Sequence, residues 1–105
     1  MSAENEGFQI SHEKEGNRLK VSLKGEINVD TSREFDAFIN DNLEGVKELE
    51  FDLKEVDFVS SAGLRVFLNA QNIMDEQGSM VIRNMSEDVK EVFDMTGFSD
   101  VMNIE

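Results

Sequence analysis

Two segments of the chain alternate apolar and polar residues, a pattern typical of β-strands with one buried face. The first is RLKVSLK, residues 18–24. It follows the strand-like run FQISHEK, and Gly16 between the two runs predicts a hairpin turn. We expect Gly25 to end the second strand of this hairpin.

The second alternating segment carries an acid at each polar position, since Leu49, Phe51 and Leu53 alternate with Glu48, Glu50 and Asp52. A sheet covered by helices on both faces should instead show nearly continuous apolar strands. We therefore predict an α/β protein of α+β-like character, in which the helices pack on one face of a four- to five-stranded mixed sheet. Short strands at 80–82 and 100–104 would complete that sheet.

Helical spacing of apolar residues predicts three helices, over residues 31–43, 61–77 and 86–95. Thr31 and Glu34 have the spacing of a capping box at the first helix. The second helix has a polar line opposite its apolar stripe, formed by Ser61, Arg65, Asn69, Asn72 and Glu76. This line is predicted to face solvent.

Length and composition indicate a single domain spanning residues 1–105, with residues 1–6 frayed. The chain has no Cys, which excludes disulfides and cysteine zinc sites, and the single His12 cannot build a multi-histidine metal site. No apolar run approaches the roughly 18 residues of a spanning helix, and no signal peptide is visible. We expect a cytoplasmic protein.

Charge narrows the choice of partner. The formal net charge is −13, from 23 acidic and 10 basic residues. Such a surface repels nucleic-acid phosphates and anionic membranes, because binding either requires Lys and Arg. We expect neither partner. The charge instead favours basic or mixed-charge proteins.

The tandem serines Ser60 and Ser61 lie where a strand-like run gives way to the second helix. Either serine can cap that helix, and this alone would explain a serine here. A helix N-terminus also favours phosphate. Two serines allow both roles, with Ser60 as the cap and Ser61 exposed to phosphorylation.

Two nearby residues have open interpretations. Gly63 either lets a partner approach the backbone or lets the helix pack tightly on the sheet. Arg65 is either an ordinary surface charge or the partner of a phosphate or carboxylate.

Enzymatic chemistry has little support in the sequence. An activated serine needs an oriented base, and His12 lies in the first predicted strand. Glu26 and Asp30 lack a full set of metal ligands. The sequence contains no dinucleotide-binding or phosphate-loop motif, so we expect no bound cofactor. A binding protein is favoured over a small enzyme.

Three segments together resemble a known family. FDLKEVDFVSSAGL resembles the segment around its phosphorylated serine, GEINVDTS resembles its Gly-Glu-Leu/Ile-Asp turn, and VKEVFDMTGF resembles its third helix. The family is the STAS domain, and within it the bacterial anti-sigma factor antagonists. The resemblance runs from Phe8 to Ile104. Ser60 and Asn28 stand where the family has aspartate, and the chain ends before its usual final helix.

The resemblance implies the STAS fold and a phosphorylation switch at Ser61. The expected partner-binding residues are Asn28, Asp30, Ser60, Ser61, Gly63 and Arg65. The implied partner is an anti-sigma factor that is also a serine-protein kinase, bound when Ser61 is unphosphorylated and released on phosphorylation. A PP2C-type phosphatase would reset the switch, and the free protein would be a monomer. The alternative is a STAS module of another partner-switching or sensory assembly.

Overall fold

Strands and helices alternate along most of the chain. The computed structural model describes residues 7–105, so the fraying predicted for residues 1–6 lies outside them. The elements are β1 (Gln9–Glu15), β2 (Arg18–Ile27), α1 (Val29–Asn42), β3 (Glu48–Val59), α2 (Ser61–Gln77), β4 (Ser79–Arg83) and α3 (Glu87–Met95). A 3-10 turn at Phe98–Asp100 follows α3.

The strands form one mixed sheet in the order β1-β2-β3-β4. β1 is antiparallel to β2, as the hairpin prediction requires, and the β2–β3 and β3–β4 pairs are parallel. The mixed sheet predicted from sequence is confirmed with four strands. The strand expected at 100–104 is reduced to a single bridge, in which Ile104 lies beside Ile82.

All three helices cover the same face of the sheet. Leu49, Phe51 and Leu53 of β3 are buried beneath them, whereas Glu50 and Asp52 lie half-buried on the open face. The described part of the chain measures 34 × 34 × 19 Å, which fits one layer of helices on one sheet. The prediction of a one-sided sandwich from the alternation in β3 is confirmed.

The start of α1 differs from the prediction. The helix begins at Val29, and the capping box joins Asn28 and Thr31 instead of Thr31 and Glu34. The Asn28 side chain accepts a hydrogen bond from the Thr31 backbone N–H at 2.9 Å, and the Thr31 hydroxyl accepts one from the Asn28 N–H at 2.8 Å. Asn is among the strongest N-cap residues, so the helix starts two residues earlier.

The prediction that Gly25 ends β2 is also wrong, because the strand continues to Ile27. Gly25 has φ +97°, and a Cβ there would lie 1.7 Å from the carbonyl oxygen of Gly7. The register with β3 shifts between Gly25 and Glu26. Gly25 therefore serves as an irregularity inside the strand and not as its stop.

Four phenylalanines, one from each of α1, β3, α2 and α3, meet at the centre of the core. The Phe67 ring of α2 lies 5.0 Å from Phe35, 5.2 Å from Phe51 and 5.5 Å from Phe93, in edge-to-face contacts. All four side chains are fully buried. Such contacts add stability beyond the area that they bury, so Phe67 ties α2 to three other elements.

We expect Phe67→Ala to lower the free energy of unfolding by about 3 to 5 kcal/mol, because it removes a buried ring and leaves a cavity. Phe58 is the matched control, since its side chain is 47% exposed. Phe58→Ala should cost about 0.5 kcal/mol. Urea unfolding followed by circular dichroism measures both changes. Equal losses in the two variants would show that the Phe67 cluster does not organise the core.

Candidate functional site

The candidate site lies where the carboxyl ends of β2 and β3 meet the amino ends of α1 and α2. Asn28 connects β2 to α1, and Ser60 connects β3 to α2. The backbone N–H of Ser60 donates a hydrogen bond to the Ile27 carbonyl at 2.8 Å. The two strand-to-helix connections are therefore held together by the backbone itself.

The tandem serines have different surroundings. Ser60 is the N-cap of α2, and its hydroxyl accepts a hydrogen bond from the Gly63 N–H at 3.1 Å. Ser61 is the first residue of the helix and is exposed to solvent. The structure thus confirms Ser60 as the cap and the exposure of Ser61, so the Ser61 hydroxyl is open to a reaction partner.

Of the two roles considered for Gly63, the structure supports tight packing of the helix on the sheet. Gly63 is buried, and a Cβ there would lie 2.7 Å from Ile27 Cγ2 and 3.1 Å from Val59 Cγ1. The expectation that Gly63 clears the way for an approaching partner is therefore wrong, because the missing side chain faces the sheet. Gly63 instead lets the first turn of α2 sit directly on the ends of β2 and β3.

The polar line along α2 is partly a helix–helix contact. Ser61 and Arg65 are exposed, as predicted. Asn69 instead lies against α1, where its Nδ2 atom donates to Asp36 Oδ1 at 3.3 Å and to Asn40 Oδ1 at 3.2 Å. A solvent-facing position was predicted for Asn69, but its side chain contacts α1 because the two helices pack side by side.

The structure brings all the predicted site residues to this one end of the sheet. Asp30 is exposed in the first turn of α1, whereas Asn28 and Ser60 are half-buried by their capping roles. We call the surface formed by Asn28, Val29, Asp30, Ser60, Ser61 and Arg65 the serine face. Gly63 supports this surface from beneath.

Sequence reasoning missed one exposed residue of the serine face, Val29, and two exposed residues near it, Phe58 and Arg33. Val29 is 58% exposed at the start of α1, and Phe58 lies near the end of β3. Arg33 is exposed one turn into α1. The exposure of Val29 could have been found from the sequence. Val29 lies six residues before the buried Phe35, which places it outside the apolar stripe of α1.

Two surface depressions in the described part of the chain were considered as binding clefts, and neither is deep. A shallow one of about 250 Å³ lies beside Asn28 and is lined in part by Glu26, Thr31 and Asp57. A larger one of about 360 Å³ lies on the open face of the sheet and includes no residue of the serine face. The serine face thus lies outside the larger depression and borders the smaller one only at Asn28.

Within residues 7–105, no three His, Cys, Asp or Glu side chains group as metal ligands. None of the helices described is long and apolar enough to cross a membrane.

Comparison with known proteins identifies the family. The profile of the STAS domain matches residues 9–105. The chain therefore belongs to the STAS domain family, as the sequence motifs predicted. It is 32% identical over 89 residues to the anti-sigma-B factor antagonist of Bacillus subtilis strain 168, which covers 84% of this chain and 82% of that protein.

Solved structures confirm the STAS fold. An anti-sigma factor antagonist from Mycobacterium paratuberculosis superposes with a TM-score of 0.85 at 19% identity, covering 99% of this chain and 89% of that one. The Bacillus cell fate determinant SpoIIAA, in its phosphorylated form, superposes with a TM-score of 0.71 at 19% identity, covering 93% and 90% of the two chains. At these identities the likeness concerns the fold alone.

We expect Gly63→Ala to lower the free energy of unfolding by about 1 to 3 kcal/mol, because its Cβ must displace Ile27 or lift the helix. Gly7→Ala is the matched control, since no atom lies within 4 Å of a Cβ at that position. Differential scanning calorimetry compares the two variants. An unchanged midpoint for Gly63→Ala would contradict the packing role.

Proposed function

We propose that this protein is an anti-sigma factor antagonist controlled by phosphorylation of Ser61. Unphosphorylated, it binds an anti-sigma factor that is also a serine-protein kinase through the serine face, and phosphorylation releases it. The observation that carries the proposal is the exposed hydroxyl of Ser61 at the start of α2, left free because Ser60 caps the helix. The name of the Bacillus subtilis relative and the existence of phosphorylated SpoIIAA support it.

The phosphoryl transfer needs only a nucleophile from this chain. Ser61 Oγ attacks the γ-phosphorus of ATP, the bond from that phosphorus to the β-phosphate oxygen breaks, and ADP leaves. The hydroxyl proton must go to a base. His12 lies in β1 with its ring 5.0 Å from Phe38, so this chain has no histidine at the serine face. In this proposal the kinase supplies the base, ATP and Mg²⁺, and a PP2C-type phosphatase hydrolyses the phosphoserine with water, which releases inorganic phosphate and restores the Ser61 hydroxyl.

Electrostatics explains how one phosphate can separate the partners without refolding the domain. A phosphoserine carries about −1.5 to −2 charges. At an exposed helix N-terminus this charge is locally favourable by roughly 0.3 to 1 kcal/mol, so the fold tolerates it. Removing such a charge from water in an interface costs several kcal/mol, and each 1.4 kcal/mol is a factor of about ten in affinity. Binding is lost while the domain remains folded and monomeric.

We expect Ser61→Ala to bind the cognate kinase and to accept no phosphate, because it keeps the surface and lacks the nucleophile. Ser61→Asp should bind more weakly than wild type, since it brings a charge into the contact. Ser60→Ala should still accept phosphate at Ser61, although it loses about 1 kcal/mol of stability with the cap. Incubation with the kinase and ATP, followed by mass spectrometry, locates the phosphate.

Phosphate on Ser60 with Ser61 unmodified would contradict the assignment of the switch. Release of a sigma factor from the kinase when the antagonist is added would distinguish a sigma-factor cascade from a STAS module in another assembly.

Val29 should be an apolar anchor of the interface, because its side chain is 58% exposed beside Asn28 and Asp30. Val29→Asp should weaken kinase binding by about tenfold or more, since burying an unpaired carboxylate is costly. The fold should tolerate the change, because an acid suits the first turn of a helix. Val101→Asp is the matched control, being equally 58% exposed outside the serine face. Isothermal titration calorimetry should show weaker binding only for Val29→Asp; equal affinities would remove Val29 from the interface.

A further inference from the structure

The four arginines of this acidic chain fall into two pairs with different surroundings. On the open face of the sheet, Arg18 pairs with Glu48 at 3.6 Å and Arg83 pairs with Glu105 at 2.9 Å. Arg33 and Arg65 are both exposed, on α1 and α2. Within residues 7–105 neither has a carboxylate within 4.0 Å, although the chain carries a net charge of −13. The guanidinium groups of Arg33 and Arg65 are thus available to bind an anion.

The helix contact shows that these two arginines lie at the same level. α1 and α2 run in the same direction, since each returns from a parallel strand, and Asn69 joins α2 to Asp36 of α1. Arg65 precedes Asn69 by four residues and Arg33 precedes Asp36 by three. Both arginines therefore lie one helical turn closer to the amino ends than this contact, facing each other across the groove between the helices.

The tilt of helical side chains brings Arg65 toward Ser61 and directs Arg33 toward the amino end of α1, the same end of the helix pair. Helical side chains tilt toward the helix N-terminus, and Ser61 is one turn before Arg65 on the same exposed stripe. The acids on the same side of α1 are Asp30 and Asp36. Asp36 accepts hydrogen bonds from Asn69 and Asn40, and Asp30 lies in the first turn, near the positive end of α1. The guanidinium groups are therefore free to meet an anion on Ser61.

We propose that Arg33 and Arg65 together bind the phosphoryl group of phosphorylated Ser61 and join α1 to α2 through it. A guanidinium matches phosphate oxygens with two parallel hydrogen bonds, which makes arginine well suited to such a site. The proposal rests on the proposed function for the identity of the modified serine. It adds that phosphorylation occupies two cationic side chains, Arg65 of the serine face and Arg33 beside it, which the unphosphorylated protein offers to its partner.

The test uses the full chain with phosphoserine incorporated genetically at position 61, so that no kinase is needed. Phosphorus NMR follows the second ionisation of the phosphate, which in free phosphoserine has a pKa near 6. Nearby guanidinium groups favour the dianion and lower this pKa. We expect Arg33→Gln and Arg65→Gln each to raise the titration midpoint by about 0.3 pH units or more.

Arg18→Gln is the matched control, because it removes the same charge from the open face and should leave the midpoint unchanged. Proton–nitrogen spectra give a second readout, in which the Nε–H signals of Arg33 and Arg65 move on phosphorylation and those of Arg18 and Arg83 do not. An unchanged midpoint in either Arg33→Gln or Arg65→Gln would overturn the two-arginine site, as would an equal rise in Arg18→Gln. A kinase that fails to modify Ser61 would instead contradict the proposed function and leave this titration intact.

Discussion

The contact of Phe67 with three other phenylalanines sets the rotation of α2 about its own axis, and the serine face depends on that rotation. Phe67 is fully buried between Phe35, Phe51 and Phe93, so the side of the helix that bears it must face the sheet. With 3.6 residues per turn, Arg65 then lies on nearly the opposite side. The exposure of Arg65, and of Ser61 one turn earlier, is thus a consequence of core packing.

The position of α2 along the sheet depends on a second constraint, the close approach of Gly63 to Ile27. The Ser60 N–H bonds the Ile27 carbonyl, and the missing side chain of Gly63 allows the first turn to rest on Ile27. Because Ser60 supplies the cap, Ser61 has no structural task at the helix end. A helix start held by these contacts, with the Ser61 hydroxyl outside the cap, suits the proposed switch, in which a modification changes the surface and leaves the fold in place.

Charge is organised differently on the two sides of the molecule. The open face of the sheet pairs its arginines with glutamates. At the helical side, Arg33 and Arg65 stand apart from carboxylates among the described residues. An acidic chain gains solubility from its many carboxylates. Arg33 and Arg65, which lie on neighbouring helices, can then attract an anion on a partner or on Ser61.

Periodicity in the sequence predicted four strands, three helices, the one-sided sheet and the exposure of Ser61, because each depends on the spacing of apolar residues within one element. It did not predict the end of β2, the start of α1 or the reduction of the strand at 100–104 to a single bridge. The motifs were sufficient for the family. The sequence could not decide the roles of Gly25 and Gly63, since each depends on an atom from another segment, the Gly7 carbonyl or the Ile27 side chain. Likewise, only the docking of α1 beside α2 brought Arg33 level with Arg65 and placed the half-buried Asn69 in the helix contact. Local spacing determines which side of an element is apolar, whereas contacts between elements determine which polar residues meet.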